Sequence, residues 1–152
     1  MLGRFAAGML AIVLISVFSL KSMGIKEAKR SENMIDLALE EFVCLVLKTG
    51  RITKEDFDEL MDRVSLSGLG CIVDITVGTV IYGRTGNMIE AAYTDEVLLA
   101  LSGPGGELDM TGRMLTISAV PVRKGLGAGL ANLLWASYVP KEIFVHGGYV
   151  HG

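Results

Sequence analysis

The run Phe5 to Leu20, FAAGMLAIVLISVFSL, is sixteen residues without a charge, bracketed by Arg4 and Lys21. As a helix it is about 24 Å long, a little short of the ~30 Å hydrocarbon core of a bilayer. Met1 to Gly3 and the stem of Lys21, its ammonium reaching outward to water, supply the remainder. Two other readings compete with a membrane anchor. A secretory h-region has the same short basic start and apolar core, but this segment leaves through Ser19-Leu20-Lys21-Ser22-Met23, with no small-x-small cleavage site. A buried core helix needs a polar face or a large domain to wrap it. This run has no polar face, and the domain that follows is only about 120 residues. The anchor is the reading adopted.

Charge and composition bound the rest. A net charge of −3 offers no basic field, which sets nucleic acid aside as a partner. The nineteen glycines are scattered rather than periodic and point to turns. Arg4 and the amino terminus lie on one side of the anchor, and Lys21, Lys26, Lys29 and Arg30 on the other. Taken literally, the positive-inside rule places the folded domain in the cytoplasm. Topology therefore stays open at this point.

From Ser31 to Lys48 the periodicity predicts a helix, with Met34, Ile35, Ala38, Leu39, Phe42, Leu45 and Val46 on one face. Lys48 and Gly50 suit its C-terminus. With no proline before Gly50, anchor and helix are expected to form one rod of about 45 residues, roughly 70 Å long. Thr53 with Asp56 three residues on predicts a capping box. The helix it opens carries Phe57, Leu60, Met61 and Val64 on one side and stops at Ser67-Gly68. The short link Thr49 to Ile52 predicts a helical hairpin. Cys71 to Tyr82 is β-branched and alternating, hence a strand, with a turn over Gly83 to Asn87. Tyr93 to Leu101 is a short helix capped by Thr94, and Ser102 to Gly106 a loop. Arg113 to Val122 is a second long strand, ended by Pro121. Gly125 to Val139 is helical in its second half, and Ile143 to Val150 is a last strand.

No catalytic constellation emerges from the spacing. Cys44 and Cys71 permit one bridge, worth about 3.5 kcal/mol in the chain-entropy model. Cys44 falls away from the apolar stripe, however, so two small hydrophobes are the simpler reading. His146 and His151 lie five apart, on opposite faces of an alternating strand, and no Cys-x-x-Cys pair accompanies them. The run Gly125-Leu126-Gly127-Ala128-Gly129 lacks both the Gly-Lys-Ser/Thr ending of a phosphate loop and G-x-G-x-x-G spacing. Glu40-Glu41 and Asp95-Glu96 are adjacent, so helical geometry splays them apart as solvated faces.

The segment Glu41-Phe42-Val43 through Gly50-Arg51-Ile52-Thr53-Lys54-Glu55-Asp56-Phe57 to Leu66-Ser67-Gly68 resembles a recurring helix-turn-helix, "EFV…TGRIT.EDY…L..TG". That motif belongs to small TadE-type, pilin-like proteins of secretion and conjugative-element clusters in Gram-positive bacteria. Cys71 to Thr76 is similar to the strand that follows it there, and Ile143 to Gly152 to the glycine-containing terminal strand. About thirty residues match at motif level. The resemblance implies a long N-terminal helix that packs with others and a globular head displayed outside the cell. Type IV prepilins are cut after a small residue and carry a glutamate five places into the mature chain. A cut after Gly8 would put Val13 there, which departs from that pattern, as does the basic run after the anchor.

The expected fold is α+β: a long N-terminal transmembrane helix, a helical hairpin, then a small, mostly antiparallel β-sheet head. The expected divisions are residues 1–24 (anchor), 25–68 (helical stalk and hairpin) and 69–152 (head). The expected function is a pilin-like structural subunit of a surface filament or of a conjugation or secretion machine. The alternatives are a membrane-tethered scaffold or accessory subunit that does not enter a filament and, more remotely, a small anchored enzyme. The expected working surface is the apolar face of the N-terminal helix: Phe5, Met9, Ile12, Leu14, Ile15, Phe18, Ile35, Leu39, Phe42 and Val46. The expected partners are membrane lipid and copies of the chain or related pilin-like subunits. No enzymatic activity, cofactor, metal, nucleic acid or small-molecule substrate is expected.

Overall fold

The computed structural model describes residues 2–83, 86–122 and 141–151, with side chains over 6–79, 90–122 and 141–151. The glycine-rich run at 125–129 and the helix expected up to Val139 lie outside the described residues.

Helix α1 runs unbroken over Leu2–Thr49, 48 residues and about 72 Å. Gly24 interrupts neither its course nor its hydrogen bonding, as expected of an isolated glycine costing only ~1 kcal/mol. Gly50, at φ +72°, ends it, and the Gly50 N–H donates to the Val46 carbonyl at 2.8 Å. Strand β1 (Arg51–Thr53) leads into α2 (Lys54–Leu66). The expected capping box closes there: Thr53 Oγ1 accepts the Asp56 N–H, and the Asp56 carboxylate accepts the Thr53 N–H, both at 3.2 Å. Gly68, at φ +72°, follows the end of α2.

Long strand β2 (Cys71–Gly83) turns back into β3 (Gly86–Ala92), then α3 (Thr94–Leu101), β4 (Glu107–Asp109), β5 (Arg113–Pro121) and β6 (Phe144–Tyr149). Among the described residues, one antiparallel sheet has the order β3-β2-β5-β6, and a two-stranded ribbon pairs β1 with β4. The register aligns three inward rows: Val73–Ala119–Phe144, Ile75–Ile117–His146 and Val77–Leu115–Gly148. The C-terminal half of α1 lies across β5 and β6, and α2 lies back against α1. Helix α1 approaches β6 so closely that a Cβ on Gly148 would sit 2.8 Å from Leu47 Cδ1.

Several details depart from the sequence expectation. The region expected as a turn over Gly83 to Asn87 carries strand to Gly83 and again from Gly86, because β3 is paired residue for residue to β2. Its Glu-Ala-Ala ending has little strand propensity of its own, so the pairing decides. The hairpin link is no simple turn, since Arg51–Thr53 leaves to pair with Glu107–Asp109. Tyr93, not Thr94, is the N-cap of α3, its N–H donating to Glu96 at 3.1 Å. The Thr94 hydroxyl instead accepts the Ile75 N–H at 3.0 Å, partnering β2 just beyond the end of β3. On α1, Val43 is buried while Met34 and Leu45 are exposed, and Met61 of α2 is exposed too. Finally, α1 from Ile35 onward, β1, α2 and α3 share one hydrophobic cluster with the sheet.

Candidate functional site

The ten residues of the expected working surface divide into two environments. Met9, Ile12, Leu14, Ile15 and Phe18 are 51–69% exposed, and their neighbours Leu10 and Val13 match them all round the helix. Phe5 lies in α1, and its side chain is outside the described residues. By contrast Ile35, Leu39, Phe42 and Val46 are at most 4% exposed. These four are not a free surface; they are the spine of the head's own core, turned onto the sheet and α2. One apolar periodicity thus serves two purposes: from Ile35 onward it packs in the head's core, and before Lys21 it stays exposed among the described residues.

By length and composition, α1 is able to cross a membrane, and its apolar window is almost wholly exposed. Ser16, a hydroxyl inside that run, donates to the Ile12 carbonyl at 2.9 Å, so it needs no outside partner. Beyond the run, Lys26, Lys29 and Arg30 are exposed on the side opposite the buried Gly24, Ala28 and Ser31. Residues 1–30 hold five basic groups and one acidic (net +4), and residues 31–152 hold nine and sixteen (net −7). The overall −3 conceals this separation.

A polar lock ties the C-terminal strand to α1. The Asp36 carboxylate accepts from Lys141 Nζ and faces His146 Nε2, each at 3.0 Å. An ionised carboxylate only accepts, so Nε2 carries the hydrogen. The Glu32 carboxylate accepts the Lys141 N–H at 2.9 Å, and Lys141 Nζ lies 4.6 Å from the centre of the Phe144 ring. The hydrogen bond from His146, then that from Lys141, hold the Asp36 carboxyl below the ordinary carboxylate range. Sequence reasoning missed this lock. Its signal was a lone acid, Asp36, beside Ile35 and Ala38, but pairing it with His146 requires the β6 register.

Of the two thiols, Cys44 is exposed on α1, while Cys71 is half-buried and burial pushes its pKa up; both are free. His151 packs edge-on against Tyr149, with ring centres 5.1 Å apart. Between α1 and α2, Arg63 bonds both Glu41 and Glu59 along a groove floored by Ala38, Phe42 and Leu60. Among the described residues, no cluster of three or more His, Cys, Asp or Glu side chains is arranged to hold a metal ion. Compared with protein-family models, with curated proteins and with solved structures, the chain matches none.

Proposed function

We propose that this chain is a non-enzymatic, membrane-anchored, pilin-like structural subunit. It assembles into a surface filament, or into a conjugation or secretion machine, through the apolar first half of α1, with its head outside the cell. The observation that carries the reading is the division of one 48-residue helix into a fully exposed apolar half and a half buried in an antiparallel head. An apolar helix gains no hydrophobic energy on leaving lipid for a bundle of similar helices, because lipid tails are as apolar as leucine. Membrane and helical bundle are therefore near-equivalent environments for residues 6–20. A subunit that passes from one to the other needs that balance.

A membrane-tethered scaffold or accessory subunit, its head cytoplasmic, is the second reading. The basic residues that follow the anchor favour it by the positive-inside rule, as does the absence of an acid before Glu27. Shearing intact cells and sequencing the released chains by mass spectrometry separates the two. Release into the filament fraction is expected, and the first residue found reports any processing. A chain left in the membrane and intact from Met1 would favour the scaffold. An impermeant thiol reagent adds the topology, because exposed Cys44 reacts ahead of Cys71. Labelling in intact cells places the head outside, and labelling only after permeabilisation places it inside.

A further inference from the structure

We propose that Lys26, Lys29 and Arg30 form a one-sided collar on α1 that binds the phosphates of anionic lipid headgroups at the surface of the anchoring bilayer. The proposal rests on the anchor reading and adds to it a lipid class and the residues that select it.

Position is the first support. The apolar run ends at Leu20, so Lys26 stands about 9 Å, and Lys29 and Arg30 about 14–15 Å, farther along the helix. The headgroup layer of one leaflet is some 5–8 Å deep. Lys26 therefore sits at its outer edge, and the other two lie within one Debye length (~8–10 Å) of it. Orientation is the second. At about 100° per residue the three cations share an arc of roughly 100°. They line one shallow groove with Asn33 and turn away from the buried Gly24, Ala28 and Ser31. Charge is the third. None of the three is in an ion pair with the described acids, and the acids flanking them are spoken for or elsewhere: Glu32 holds the Lys141 N–H, and Glu27 lies off the arc.

The charge separation makes an anionic surface the fitting partner. A surface of negative phosphates attracts residues 21–30, which hold four basic groups and one acid (net +3), and repels the −7 of residues 31–152, so the same field that holds the collar down keeps the head off the bilayer. Lysine supplies point charges to phosphate and arginine a planar fork, a combination suited to headgroups of varied geometry.

The test uses the full chain incorporated into phosphatidylcholine vesicles containing a minority of phosphatidylglycerol. Flotation with the vesicles reports insertion. Electron spin resonance of spin-labelled phosphatidylglycerol and phosphatidylcholine then reports which lipid is held next to the protein. The wild-type chain should hold the anionic lipid about fivefold more strongly, the scale expected of one basic residue near a charged surface. The triple variant K26Q/K29Q/R30Q should float equally well with a ratio near 1, and raised salt should do the same to the wild type. An equal ratio in the wild type, or a preference the triple variant keeps, would overturn the proposal. So would a variant whose only change is its oligomer size, which would assign the collar to the acidic head of a second copy. Vesicles of phosphatidylcholine alone test the anchor reading separately: a chain that fails to float with them would sink that reading and the collar that rests on it, whereas flotation with them and an equal lipid ratio would sink the collar alone.

Discussion

Asp36 occupies a position on α1 flanked by core, with Ile35, Ala38 and Leu39 all buried, and Lys141 and His146 of the C-terminal segment reach its half-exposed carboxylate. Its pKa is lowered in the folded protein, so the carboxylate contributes stability that is fully present above the unfolded value of 3.8. That contribution is lost as pH falls through the folded value. The side chain is 43% exposed, and solvent screening limits the contribution to about 1 kcal/mol or less. Asp36→Asn should therefore lower the urea-unfolding midpoint at neutral pH, and the two proteins should converge once the pH is well below 3.8. A constant gap across that range would show that the loss is packing and not charge. Residue by residue, the sequence made the apolar members legible and left the polar pairings hidden. Cys44 was placed away from the stripe and is exposed, whereas the partners of Asp36 lie 105 and 110 residues away.

The elements that could be read from the sequence are those that carry their own instructions. Helix α2 is the clearest case, because Thr53 and Asp56 close both halves of its box and Phe57, Leu60 and Val64 fall buried on one side. Thr53→Ala removes the acceptor for the Asp56 N–H, and stability should fall by about 1 kcal/mol in a chemical melt. Thr53→Ser, which keeps the oxygen, should recover most of it; equal losses from both would point instead to the β1–β4 ribbon that Thr53 shares with Glu107. Strands β2 and β5 were legible for the same reason: period-two alternation over nine or more residues. The three-residue strands β1 and β4 were not, because so short a ribbon has no period and exists only where two distant segments meet. Strand β3 depends likewise on β2. The division of α1 was half-legible: its continuity and its two apolar stretches are in the sequence. That Ile35, Leu39, Phe42 and Val46 turn onto the chain's own sheet is a tertiary fact.

Across the whole molecule, the apolar run and the head share a helix but no described packing. Among the described side chains from Ala6 to Leu20 all are exposed except half-buried Val17, and the first buried position on α1 is Gly24. The hydrophobic cluster takes its first residue from α1 at Ile35. Burial, not exposed area, stabilises a fold, at roughly 25 cal/mol per Å² removed from water. A chain beginning at Lys21 should then keep its head. Its urea-unfolding free energy should lie within about 0.5 kcal/mol of that of the full chain in mild detergent, the range of changes made away from the core. It should also remain in solution without detergent, having shed the exposed Met9, Ile12, Ile15 and Phe18. Loss of a cooperative transition would mean that the head borrows order from the first half of α1, and the two halves would then have to be treated as one folding unit. Retention would mean that residues 6–20 are held in the sequence for what they meet outside the chain. Only then can lipid or sister helices exchange around that run without cost to the fold it carries.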